Sequence, residues 1–225
     1  MSPATPEDDV PAWGFIAWLH ELIDARDPVL RPLGEMTRAA SVMRGIADDT
    51  RESVWNMQRS SPARDLVAMM ADVDEAARRG ITTRPLYSRG ALARSPLLSS
   101  AIPGIRVGPV TDPFMVVDRR VVVVNDAHGT TIWACEDPDV VARGVATFEA
   151  EWAAATPAVA PGAPPPYTRR MTEVGAHLAT GRTDREIAQA VGISERSVSA
   201  GVRELSRRLG ASGRGHAIAR INGAA

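Results

Sequence analysis

Residues 183–210 read TDREIAQAVGISERSVSAGVRELSRRLG and start two helices in quick succession, with one break between them. Thr183 and Glu186 stand in T-x-x-E order, the spacing at which each side chain bonds the other residue's backbone N–H, so a helix begins near Asp184. Ile187, Ala188 and Val191 share one of its faces, and Gly192 is the residue best able to adopt the left-handed conformation that closes it. Ile193 plugs the corner. Ser194 then caps a second helix, on which Val198, Val202, Leu205 and Leu209 recur at three- and four-residue spacing. The other face of this helix carries Arg196, Ser197, Ser199, Ala200, Arg203 and Arg207. It is slim at its start and basic along its length, as a helix must be to approach base edges in a DNA major groove and meet phosphates with cations.

The rest of the chain supports a division of labour. Its 225 residues, 44% of them apolar, suffice for one large domain or for one medium and one small. Net charge is −1 overall, but from Tyr167 onward ten Arg face five Asp plus Glu, giving +5 there and leaving −6 for residues 1–166. One basic end on an acidic chain is expected if only that end meets a polyanion. All 26 basic residues are Arg, which excludes chemistry that needs a lysine amine. The single cysteine, Cys135, has no partner for an internal disulfide and reads as a small apolar side chain. A reducing cytoplasm is the expected compartment. The opening MSPATPEDDV is acidic and lacks a signal pattern, and the longest apolar runs fall far short of the ~20 residues that cross a bilayer. His20, His128, His177 and His216 show no metal-ligand spacing, so no metal or cofactor is expected.

ATPAVAPGAPPP, residues 155–166, has no apolar periodicity and too many prolines for a helix or a central strand. The expected organisation is therefore an N-terminal helical arm over 1–34, an α/β domain over 35–153, a stiff linker over 154–166 and a small all-α domain over 167–225. In the first part, residues 11–25, 33–52 and 61–80 read as helices, and SVWNM and ITTRPLYS as strands. A short helix follows near Arg94–Ala101. GIRVGP, FMVVDRRVVVVND and TTIWACE are strands rich in β-branched residues, and a last helix spans 137–156. That order predicts a mixed sheet layered with helices.

Residues 167–221 resemble the LuxR-type (GerE-like) helix-turn-helix module of bacterial transcription regulators, without a gap. YTRRMTEVGAHLATG is similar to the family's opening helix, TDREIAQAVGIS to its scaffold helix and turn, ERSVSAGVRELSRRLG to its recognition helix, and ASGRGHAIARI to its closing helix. The resemblance implies double-stranded DNA as partner, with Thr183, Arg185 and Arg207 on the sugar-phosphate backbone. Ser199, Ala200 and Arg203 would then face bases, and Arg196 and Ser197 would anchor the entry of the recognition helix. It also implies a homodimer, for which Ala217, Ile218 and Ile221 are the candidate seam, unless these residues close the module's own core. A docking role on a protein such as RNA polymerase is the alternative use of such a unit. Two departures stand out: members usually carry Lys or Arg where Ser199 stands and His where Gly201 stands. Gly201 in mid-helix should cost about 1 kcal/mol relative to Ala.

Three uses of the first domain were open to the residues. A phosphoacceptor receiver needs acids after its first strand and a Lys after its fifth, and the chain has no Lys. TDPFMVVDRRVVVVND resembles the hairpin of phospholipase D-like domains, whose H-x-K-x4-D motif would fall on Thr111, Pro113 and Asp118. Threonine cannot replace the histidine nucleophile, nor proline the phosphate-binding lysine, so an enzyme is not expected. The element order, together with MRGIADDTRESVWNM and the hairpin, resembles a TrmB-like, catalytically dead phospholipase D-like effector domain. If a small molecule binds beyond the strand ends of this sheet, Gln58, Tyr87, Arg89 and Thr111 are the candidate contacts. The alternative is a protein-interaction domain with no small-molecule ligand. The leading helix with Trp13, Phe15, Trp18 and Leu22 is either a dimerisation arm or a cover for the sheet.

Overall fold

A run of four valines inside FMVVDRRVVVVND can only be a strand if both its faces are covered, because every second side chain would otherwise meet water. The computed structural model of the chain, which describes residues 14–110 and 113–224, has this arrangement. The elements run α1 (Phe15–Asp24), β1 (Leu30–Glu35), α2 (Ala39–Asp49), β2 (Ser53–Gln58), α3 (Leu66–Arg78), β3 (Thr82–Ser88), α4 (Arg89–Arg94) and α5 (Leu98–Ala101). They continue with β4 (Arg106–Gly108), β5 (Phe114–Val117), β6 (Val121–Asn125), β7 (Thr131–Cys135), α6 (Pro138–Ala154) and β8 (Thr156–Pro157). Four helices close the chain: α7 (Arg169–Ala179), α8 (Asp184–Val191), α9 (Glu195–Arg208) and α10 (Arg214–Ile221).

The strands form one mixed sheet in the order β1-β7-β6-β5-β2-β3-β4-β8. Only β2, β3 and β4 run parallel, joined by α3 and by α4 with α5; the remaining pairs are antiparallel. Phe114, Val116, Val122 and Val124 point to one face, where α1 and α6 cover them with Phe15, Leu19, Val140 and Phe148. Met115, Val117 and Val123 point to the other, beneath Val42 and Ile46 of α2. Aromatic rings stiffen the first face: Phe15 meets Phe114 edge-on at 5.2 Å, and Phe148 stacks on Trp152 at 5.9 Å.

Two expectations about the ends of the first domain fail. Residues 30–35 are a strand paired with β7, although the helical pattern was expected to begin at Leu33 and the arm to end at residue 34. LRPLGE conceals this strand because Pro32 and Gly34 are poor strand residues; an edge position with a register shift between them accommodates both. The arm is part of the fold, with Phe15, Ile16, Leu19 and Ile23 of α1 buried on the sheet, so of the two readings of that helix the described residues show the cover; Trp13 lies outside them.

The proline-rich stretch is also tied down. Thr156 and Pro157 pair with Val107 and Arg106 at the sheet edge, the Ala158 N–H donates to the Ile105 carbonyl, and the Tyr167 N–H donates to Ser100 Oγ. The four C-terminal helices then share a core with the first domain: Val174, Ala176 and Leu178 of α7 lie in one cluster with Leu66, Met70, Leu97 and Leu98. A Cβ at Gly175 would stand 2.6 Å from Leu97 Cδ1 and 2.9 Å from Leu205 Cδ2, so glycine permits α7 to pass between α5 and α9. Outside the core, Arg169 of α7 meets Asp74 of α3 at 2.5 Å.

Asp118 is the hinge of the valine hairpin. With Arg119 it takes a positive φ, 50° and 55°, a conformation that Asp tolerates better than most residues. Its carboxylate accepts the backbone N–H groups of Arg51, Glu52 and Ser53 at 2.7–2.8 Å, fixing the start of β2 beside the turn. Partial burial works against ionisation, but the three N–H donors and nearby Arg120 outweigh it and hold the carboxyl below its ordinary value of 3.8. A depressed folded-state pKa means that the stabilisation is whole above 3.8 and is lost as pH falls through the lower value. Asp118→Asn should therefore cost about 1–2 kcal/mol at pH 7. In thermal melts at successive pH values, the gap between wild type and variant should close as pH drops below 3.8.

Candidate nucleic-acid interface

The capping box forms. Glu186 N–H donates to Thr183 Oγ1, and Thr183 N–H donates to Glu186 Oε2 at 2.8 Å. The Thr183 N–H and hydroxyl, both donating to it, hold the Glu186 carboxyl below its usual range. Gly192 closes α8 in the left-handed conformation, φ 70° and ψ 40°, and Ser194 Oγ accepts the Ser197 N–H to open α9. Three residues, 192–194, thus turn the chain from one helix to the next. Ile187 and Ala188 of α8 and Val198, Val202 and Leu205 of α9 are buried together, which fixes the angle between the helices.

Outward from that core, Thr183, Arg185, Arg196, Ser197, Ala200, Arg203 and Arg207 are all exposed on α8 and α9. Ser199 is not free with them. It is half-buried, and its hydroxyl donates to Asp184 Oδ2 because Asp184, at the first turn of α8, leans across the start of α9. Arg214 of α10 pairs with the other oxygen of the same carboxylate. Ser199 and Arg214 together keep the Asp184 carboxyl below the ordinary range. One carboxylate therefore ties three helices together, a role that no spacing in the sequence discloses. Arg207 is exposed but engaged: with Arg208 it grips Glu204, whose carboxyl is held down at about 2.

Of the three residues considered for a dimer seam, Ala217 and Ile221 are fully buried in the chain's own core. Only Ile218 retains surface. The candidate effector contacts differ in exposure. Tyr87 is buried in the core, where loss of water raises its hydroxyl pKa; Gln58 is half-exposed and donates to Asn56; Arg89 is exposed at the start of α4; and Thr111 lies outside the described residues. Gln58 and Tyr87 are register partners at the ends of β2 and β3, on the side of the sheet under α3, but Tyr87 is spent on the core there.

Gly201 sits inside α9, and a Cβ there would lie 3.7 Å from Val174 Cγ1, an ordinary contact. Nothing in the packing demands glycine. Gly201→Ala should stabilise the protein by about 0.5–1 kcal/mol, read as a higher melting temperature; a lower one would show that the site needs the extra space.

Several known proteins are similar to parts of this chain. Residues 165–221 match the bacterial regulatory proteins of the luxR family, GerE. The archaeal chromatin protein TrmBL2 superposes with a TM-score of 0.42 at 18% identity, over 62% of this chain and 60% of that one. The present chain thus spans about 60% of that relative's length. Nuc, a phospholipase D family member from Salmonella typhimurium, has a TM-score of 0.42 at 16% identity, over 53% of this chain and 90% of its own. NucT from Helicobacter pylori gives 0.43 at 11% identity, over 57% and 98%. Likeness this distant assigns no activity. No curated protein matches the sequence. What the match and the geometry of α7–α10 together establish is a luxR-type helix-turn-helix module at residues 165–221.

Proposed function

We propose that this protein is a transcription regulator that binds double-stranded DNA through α8 and α9, as a homodimer, under the control of its α/β domain. The observation that carries this reading is the exposed row Arg196, Ala200, Arg203 on a helix whose start is fixed by a side-chain cap. A helix entering the major groove needs cations on its outer face and little bulk near its start, and α9 offers Arg196 and Arg203 with only Ser197 and Ala200 exposed between them on that face. Arg203 is the proposed base reader; Thr183, Arg185 and Arg207 are the proposed phosphate contacts. Ile218 and the exposed side of α10 are what remains for a symmetric contact between two copies.

Phosphodiester hydrolysis is not part of the proposal. The one surviving position of the phospholipase D-like motif, Asp118, spends its carboxylate on three backbone N–H groups, and Pro113 stands where a lysine would bind phosphate. Control by the first domain has a physical route, since α7 shares its core.

The test is capture of genomic DNA fragments by the purified full-length protein, followed by affinity measurements on a captured site. Discrete fragments with a two-fold symmetric sequence are expected, and log affinity should fall linearly with log salt. Arg203→Ala should cost about 1–3 kcal/mol and relax preference at one base pair; an equal loss on every sequence would reassign it to phosphate. No enrichment by the full chain or by residues 165–225 would sink the proposal.

A further inference from the structure

Helix α3 has two unlike neighbours. Val67, Met70 and Asp74 turn towards α7, where Asp74 pairs with Arg169. Met69, Val73 and Ala76, on another side of the helix, wall a cleft against α2 and the sheet. Val54, Pro85 and Met115 form part of its floor, and its volume is about 210 Å3. Met43 of α2, on its wall, is the one large apolar side chain that the described residues leave exposed. Helix α2 itself buries no residue completely, and on α3 only Leu66 and Met70 are buried, both in its first half. The two helices are joined at the far end by Arg79, whose guanidinium donates to the carbonyls of Ala47, Asp48 and Thr50.

The charged side chains of the cleft differ in what they have left to offer. Arg79 is committed to those carbonyls, and Glu75 pairs with Arg78. Asp72 is in neither position: it stands exposed on α3, and Arg44 is the cation acting on it. Partial loss of water raises its carboxyl above the ordinary range, with Arg44 pulling the other way. A cationic group beside it would stabilise its charged form. As for size, a dry apolar cavity of about 150 Å3 accepts one benzene ring, so this cleft has room for about eight to ten non-hydrogen atoms.

We propose that the cleft between α2 and α3 binds a small, mostly apolar amine, its hydrocarbon part on Met69, Val73 and Met115 and its ammonium on Asp72, and that occupancy shifts α3 and with it the seat of α7. The binding site stands by itself; the link to DNA rests on the function proposed above. A ligand wedged against one face of α3 moves the face that carries Asp74, and the Arg169 contact and the apolar contacts of Met70 move with it.

The probes are 2-phenylethylamine, of about nine non-hydrogen atoms, and 2-phenylethanol, the same shape without the charge. Calorimetric titration of the full chain should show saturable binding of the amine, weaker binding of the alcohol, and loss of both in Ala76→Met, which fills the cleft. Asp72→Asn should weaken the amine about tenfold and leave the alcohol unchanged. Thermal melts establish that both variants fold. The amine should also change the affinity of the full chain for a captured DNA site by about fivefold or more, and not in Ala76→Met. Absence of saturable binding, or equal binding by folded Ala76→Met, overturns the site. Equal affinity for amine and alcohol overturns the amine assignment, and amine binding with unchanged DNA affinity overturns the link to α7. A chain that binds the amine but no DNA leaves the site standing and removes the proposed function instead.

Discussion

Leu97 against Gly175 is the contact on which the arrangement of this protein depends. In a free-standing four-helix reader, α7 would cover α8–α10 with one face and show water the other. Here Thr172 and every residue from Val174 to Ala179 are buried, because α3 and α5 of the first domain occupy the second face. A side chain at residue 175 would have to displace Leu97 or Leu205, both of which are fully buried and have nowhere to go. The reader and the sheet domain are thus two topological units with one core. The prolines between Ala160 and Pro166 bridge a gap whose two sides are already fixed, at Ile105 and at Ser100.

The parts of this fold that could be read from the sequence are those in which one short pattern admits one structure. Four consecutive valines flanked by Asp-Arg-Arg admit a doubly buried hairpin and little else, and Thr183, Glu186, Gly192 and Ser194 spell out two helices with their caps. Strand β1 was hidden because Pro32 and Gly34 break the pattern that an interior strand must keep, whereas an edge strand tolerates them. Strand β8 was hidden because two residues, one of them proline, carry no periodicity at all. The shared core was hidden for a different reason. Leu97, Leu98 and Val174 are apolar whichever partner they meet, so burial can be read from sequence and the identity of the neighbour cannot. The same limit explains Ser199 and Asp184: fifteen residues apart, they look like a groove-facing hydroxyl and a first-turn acid until the helices are placed side by side.

The positive charge of the reader is smaller than its composition suggests, and the difference has a direction. Arg169 is paired with Asp74 and Glu173, Arg207 and Arg208 with Glu204, and Arg214 with Asp184. Most of these cations lie away from the start of α9. Arg185 in the first turn of α8, Arg196 in the first turn of α9 and Arg203 further along the same face of α9 are exposed, and none of the ion pairs among the described residues involves them. Within α8 and α9 the uncompensated charge is therefore concentrated at the edge of α8 and the leading face of α9. In the proposed complex a duplex approaching that edge would meet unpaired guanidinium groups first and Arg207 later. If Arg207 is the phosphate contact proposed above, it exchanges Glu204 for a phosphate, an exchange between two anions in water that gains little by itself. In the proposed complex, affinity should consequently depend more on Arg185, Arg196 and Arg203 than on Arg207, which would set how deeply α9 can settle once they are engaged.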